Sequence, residues 1–150
     1  WEHTVVVRPE HPLAALARKK GFALTLEDVA RYPVVTYDRA FSGRRSVDRA
    51  FEEKGLRPDI VLEAIDADVI KTYVDVGLGI GIIAGVAYEP LRDTNLVSIP
   101  AGHLFGLQTT RIALKSGVFL RDYVYTLIAM LTPELSERQV RELVENKQEK

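Results

Sequence analysis

The sequence predicts an α/β fold, a mixed and largely parallel sheet flanked by helices. Three observations predict it. Short runs rich in β-branched residues recur along the chain: "TVVVR", "YPVVTY", "DIVLEA", "GIGIIA" and "NLVSIP". Stretches with helical apolar spacing alternate with them. Glycine or proline closes most segments, as it does at strand ends and helix stops.

In chain order, residues 4–8 read as a buried strand, closed by Pro9 and Pro12. Residues 13–24 are a basic stretch ending near Gly21, read as a loop with a short helical turn. In "TLEDVARYP", Thr25 caps a short helix with Asp28 placed for a near-capping box, and Pro33 ends it. "VVTY" is the next strand. A helix over roughly 46–54 follows, with Val47, Ala50 and Phe51 on one face and Gly55 as its stop. "DIVLEA" (59–64) is a strand. Asp66 then caps a helix whose Val69, Ile70, Tyr73 and Val74 share a face, and Gly77 ends it. "GIGIIA", "NLVSIP" and "TTRIALKSG" are strands, 118–131 is an amphipathic helix, and a mostly polar helix closes the chain after Pro133.

Composition narrows the function. The 150 residues carry 20 Lys and Arg against 21 Asp and Glu, so no global charge marks a nucleic-acid or membrane binder. There is no cysteine, which excludes disulfides, thiol nucleophiles and cysteine metal sites. The opening "WEHTVVVRPEHPL" has no basic n-region and no long apolar core, so neither a signal peptide nor a membrane span is read there. It also begins without methionine and already in strand-like sequence, so the reading is a fragment of a longer protein.

Most candidate chemistry dissolves on inspection. "GLGIGIIAG" (77–85) follows a helix and opens a strand, the reverse of a dinucleotide fingerprint, and lacks the Lys-Ser/Thr pair of a phosphate loop. Gly77 reads as a left-handed helix cap, with Gly79 and Gly81 permitting close packing. His3, His11 and His103 match no zinc spacing. No serine sits in a nucleophile elbow. Asp66 and Asp68 could form an acid–base pair, but both suit a helix start. "RPEHPLAALARKK" is locally basic without interleaved aromatics, a weak nucleic-acid signal.

"AFSGRRS" (40–46) is different, because it sits where a strand hands over to a helix. A helix N-terminus presents unpaired N–H groups and partial positive charge to an anion. Gly43 allows close approach, Ser42 offers a hydroxyl, and Arg44 or Arg45 offers a planar fork. The competing reading is a serine cap with both arginines in water. Residue chemistry alone leaves both open.

Read in order, these segments resemble the effector-binding domain of LysR-type transcriptional regulators. The carriers are the first strand followed by "HPLA", the "LEDVARYPVV" step and "VDVGLGIGIIA". "DADVIKTYVDVGLGIGIIA" (66–84), "YPVVTY" with its aromatic–Ser–Gly–Arg loop, "AFEEKGLRPDIV" and "TTRIALKSGVFLRDYVYTLI" are similar to the CysB-type branch, which regulates sulfur assimilation and cysteine synthesis. The resemblance covers about residues 1–135.

The resemblance implies a type II periplasmic-binding-protein-like architecture, here an incomplete two-lobe domain. Residues 1–107 would be the second lobe with the first crossover strand. Residues 108–131 would be the return crossover strand and helix, and 132–150 a polar C-terminal helix and tail. The DNA-binding helix-turn-helix and half of the first lobe would lie upstream, outside this chain. It implies a cytoplasmic, non-enzymatic protein without cofactor or metal, working as a homo-oligomer (a tetramer built as a dimer of dimers). Its effector would be sulfate or an acetylserine, held in the inter-lobe cleft by Trp1, Ser42, Gly43 and Arg44. Asp38, Arg39 and Arg45 depart from the branch pattern, and Asp38 would oppose an anion unless an arginine pairs with it. A solute-binding protein for transport, or an enzyme on the same fold, are the rival readings.

Overall fold

Buried β-branched runs must pair their backbone groups, and five of them do so in one sheet. In the computed structural model, which describes residues 1–115 and 119–145, the strands are β1 (His3–Val7), β2 (Pro33–Tyr37), β3 (Asp59–Ala64), β4 (Ile80–Ala84) and β5 (Val97–Pro100). Their order is β3-β2-β4-β1-β5. β2 pairs in parallel with β3 and β4, while β1 pairs antiparallel with β4 and β5. Four strands therefore run one way and β1 alone runs against them, the mixed, largely parallel sheet that the pattern predicts.

The chain divides into two units, Trp1–Thr109 and Thr110–Lys150. In the first, both faces of the sheet are covered. All five residues of β1 are buried. Val5 and Val7 join one core with α1 (Pro12–Ala17), α2 (Leu26–Val29), α3 (Ser42–Glu53) and α5 (Gly102–Phe105). Val6 joins the opposite core with Val35, Ile83 and the Ile70 and Val74 of α4 (Ala67–Asp75). The period-two alternation of a strand sorts successive valines to opposite cores.

Local chemistry fixes several ends as the sequence predicts. Thr25 and Asp28 form a complete capping box on α2. Asp66 caps α4 by accepting from the Asp68 N–H at 2.6 Å. Gly55 and Gly77 adopt positive φ just beyond the ends of α3 and α4. Gly81 presses into the second core, where a Cβ would meet Val6, Val74 and Ile70 methyl carbons at 2.7–3.0 Å.

Four expectations need correction. α3 starts at Ser42, four residues before the sequence places it, because the AFSGRRS loop winds directly into the first turn. Of the four apolar positions grouped on α4, only Ile70 and Val74 are buried, whereas Val69 and Tyr73 are each 41% exposed. Pro33 does not merely stop α2 but opens β2, at an end where its missing N–H costs no ladder bond. Residues 109–115 form no strand. A strand exists only as one side of a ladder, and among the described residues none pairs with this segment.

The second unit pairs α6 (Asp122–Leu131) with α7 (Glu137–Glu145) around Tyr125, Ile128 and Val140. Ser136 and Gln139 bond reciprocally at the start of α7. The Arg141 guanidinium lies 4.1 Å from the Tyr125 ring centre and donates to Asp122 at 2.9 Å. α6 begins at Asp122, later than the expected helix over 118–131, because residues 119–121 are not helical; Val118 itself and the last five residues of the C-terminal tail lie outside the described residues.

Candidate functional site

α3 leaves the carboxyl end of β2, the edge where open α/β sheets bind ligands. Because β1 runs antiparallel, its first residues come to this same edge: His3 stands opposite Ala84 at the end of β4. The N-terminus of α3 thus meets the start of the chain.

Phe41 is the N-cap of α3, and it makes no side-chain capping bond. Among the described residues the N–H groups of Ser42 and Gly43 have no hydrogen-bond acceptor, while the Arg44 N–H turns back to the Phe41 carbonyl at 3.2 Å. Two free donors and the Ser42 hydroxyl, which is exposed, therefore stand at the positive end of a twelve-residue helix. A Cβ on Gly43 would lie 2.9 Å from Trp1 Cη2 and 3.1 Å from His3 Nε2. Glycine lets the helix approach both rings this closely without displacing either. Trp1 is tied down by Gln108, whose N–H donates to the Trp1 carbonyl at 2.7 Å and whose carbonyl accepts from the Trp1 amino group at 2.8 Å. Gln108 Oε1 also accepts from Ser46 Oγ of α3 at 3.1 Å.

Sequence reading singled out neither Gln108 nor His3 as a member of this edge. His3 is 2% exposed, and neither of its ring nitrogens has a partner among the described residues. Its ring meets Trp1 edge-on at 5.0 Å and Phe105 at 5.4 Å. Burial lowers its pKa to about 4, offset only in part by a weak hydrogen-bond interaction with the Gly43 backbone that falls short of full geometry, so the imidazole is neutral at pH 7. The signal available in the sequence was a histidine at the head of a strand that continues as Thr and three valines.

The structure brings together Trp1, Ser42 and Gly43, and it places Arg44 elsewhere. Arg44 is fully buried. Its Nε donates to Asp48 at 2.7 Å, and its Nη1 donates to the Tyr37 carbonyl at 2.7 Å and Glu63 at 2.8 Å. Nη2 is buried without a partner among the described residues. Desolvation acts to lower its pKa, but the bonds to Asp48 and Glu63 prevail and hold it above the ordinary value. Arg44 thus braces α3 to β2 and β3, with its fork turned to carboxylates, which corrects its expected place beside the anion. Arg39 approaches Glu63 at 3.6 Å, Arg45 is exposed, and Asp38 accepts from the Ala40 N–H at 2.8 Å. Neither arginine pairs with Asp38 among the described residues.

The remaining chemical candidates have structural employment. Asp68 is exposed, and its hydrogen bond and ion pair with Lys71, at 2.8 Å, hold its carboxyl below the usual range. His11 caps α1 by accepting from the Leu13 N–H, and His103 bonds the Leu24 carbonyl at 2.8 Å. Among the described residues no group of His, Asp and Glu could hold a metal, and no helix is long and apolar enough to cross a membrane. A larger cavity, about 850 Å³, belongs to the second unit. Its walls are mainly aliphatic, including Ile112, Leu114, Ile128, Leu131 and Leu143.

Comparison with known proteins agrees with this architecture. The chain is 53% identical over 149 residues to the HTH-type transcriptional regulator CysB of Burkholderia cenocepacia, covering 99% of this chain and 46% of that protein. It is 51% identical over 144 residues to the HTH-type transcriptional regulator SsuR of the same organism, covering 96% and 45% respectively. It thus spans less than half the length of these relatives. Among solved structures, the cofactor-binding domain of the Cbl transcriptional regulator superposes with a TM-score of 0.77 at 36% identity, covering 96% of this chain and 61% of that one. The effector-binding domain of QuiR, solved with shikimate, superposes over 65% of this chain and 44% of that one, with a TM-score of 0.54 at 26% identity. The family model for the LysR substrate binding domain matches residues 1–136, and the chain belongs to that family.

Proposed function

We propose that this chain is the effector-sensing part of a LysR-type regulator of sulfur and cysteine metabolism. The effector is a small oxyanion, sulfate or the carboxylate of an acetylserine, seated at the N-terminus of α3. The observation that supports this is the open helix end, with N–H groups of Ser42 and Gly43 unbonded among the described residues and a glycine at the point of closest approach. Helix N-termini bind anions through such groups without needing a cationic side chain. The shikimate complex of QuiR is consistent with a carboxylate effector in this family.

The chain senses and does no chemistry. Asp66 is committed to capping and Asp68 to Lys71, which leaves neither as a buried acid facing Ser42. DNA is bound through a domain outside this chain in a cytoplasmic homo-oligomer, a tetramer built from dimers. Occupancy then acts by shifting the balance between two arrangements, which requires the ligand to prefer one of them.

The test is calorimetric titration of the full-length protein with sulfate and with acetylserines. Ser42→Ala removes one hydroxyl donor to a charged ligand and weakens binding roughly tenfold. Gly43→Val, which drives side-chain carbon toward Trp1 and His3, weakens it further while far-UV circular dichroism stays unchanged. Unchanged affinity in both variants would rule out this site.

A further inference from the structure

Resting on the reading above, we propose that His3 is an anion-binding residue of this site. One of its ring nitrogens donates to an oxygen of the oxyanion at the N-terminus of α3, after the Trp1 indole moves aside.

The argument starts from an unfilled hydrogen-bonding capacity. A buried polar group without a partner costs about 1–3 kcal/mol, so almost every such group in a native protein is answered by a water, an ion or a ligand. At 2% exposure neither His3 ring nitrogen meets a partner with full hydrogen-bond geometry among the described residues, and the Gly43 backbone offers only a weak one. The unpartnered edge is directed at the site: Nε2 and Cε1 lie 3.1 and 3.6 Å from where a Gly43 Cβ would stand. Gly43 also contributes one of the two free N–H groups. A single oxyanion there would meet the helix donors on one side and the imidazole on the other.

Charge is consistent with this role. The neutral ring can offer one N–H to an acceptor and adds no repulsion to the dehydrated pocket when the site is empty. An alkyl group at the same place would leave both ring nitrogens as unsatisfied as before. Trp1 seals the ring, and its Cη2 lies at the same point of Gly43. Access to His3 therefore moves the one tryptophan of the chain, which gives binding an optical signal.

The experiment is a sulfate titration of the full-length protein, against a chloride control of equal ionic strength. It is followed by nuclear magnetic resonance of backbone amides and of nitrogen-15-labelled imidazoles, and by tryptophan fluorescence. Sulfate shifts the Ser42 and Gly43 amides, shifts the His3 ring nitrogens and changes Trp1 emission. His3→Phe weakens sulfate binding about tenfold, while the Ser42 and Gly43 amides still move at saturation. His3→Gln, which restores a donor, recovers part of the loss. If the two amides respond while the His3 ring does not and His3→Phe binds within twofold of the parent, the His3 assignment fails alone. If the amides are silent as well, the α3 site fails and takes His3 with it. Should His3→Phe not fold, the ring-nitrogen response in the parent protein decides.

Discussion

Replacing Arg44 by methionine separates a brace from a ligand. The side chain is wholly buried and makes three short charge-assisted bonds, to Asp48, Glu63 and the Tyr37 carbonyl. Methionine keeps much of the volume and removes all three. Breaking a buried ion pair by removing one partner costs about 3–5 kcal/mol. Here the carboxylates of Asp48 and Glu63 remain 31% and 34% exposed, so water recovers part of the loss. The expected net is roughly 2–3 kcal/mol, or a melting temperature lower by about 5–10 °C for a chain of this size. Arg44→Lys keeps the charge but cannot span all three acceptors, and is expected to lose roughly half as much. Urea unfolding followed by circular dichroism measures both. If Arg44→Met unfolds within about 0.5 kcal/mol of the parent, the brace is refuted. If stability is unchanged but sulfate affinity collapses, Arg44 serves the ligand instead.

Further outcomes follow from the same structure. His3 has a folded-state pKa of about 4 against an ordinary 6.5, so the unfolded chain binds more protons between those values. Its stabilising contribution is complete above pH 6.5 and drains as pH falls toward 4, roughly 1–2 kcal/mol between pH 7 and pH 5. His3→Phe flattens that part of the stability profile, and an unchanged slope would place the acid sensitivity elsewhere. Gly79→Ala drives a Cβ against the Pro33 carbonyl, whose carbon is only 2.8 Å away, and is expected to cost about 3 kcal/mol in urea unfolding. Gly81→Ala meets methyl groups that can shift and costs roughly half of that. Thr25→Ala dissolves the capping box of α2 and lowers stability by about 1 kcal/mol, with no effect on sulfate binding.

The sequence by itself determined the strands and many of the punctuation marks between them. β-branched runs, the caps Thr25 and Asp66 and the stops Gly55 and Gly77 act through neighbours in sequence, so their chemistry is visible in a short window. The candidate edge was legible for a related reason: a glycine and a serine at a strand-to-helix junction mark a helix end open to an anion within a short window. What the window could not show is where a side chain goes once distant segments arrive. Arg44 looked free because Glu63, nineteen residues away, became its partner only when β3 paired with β2. Its bonds to the Tyr37 carbonyl and Glu63 also tie the first turn of α3 to β2 and β3. Residues 109–115 have the composition of a strand, but a ladder needs a second chain segment. His3 became a member of the site only because β1 runs against its neighbours and delivers its first residues to the end where β2 stops. Local sequence fixes which backbone each stretch prefers. The sheet decides which of its side chains are buried, paired or left facing a ligand.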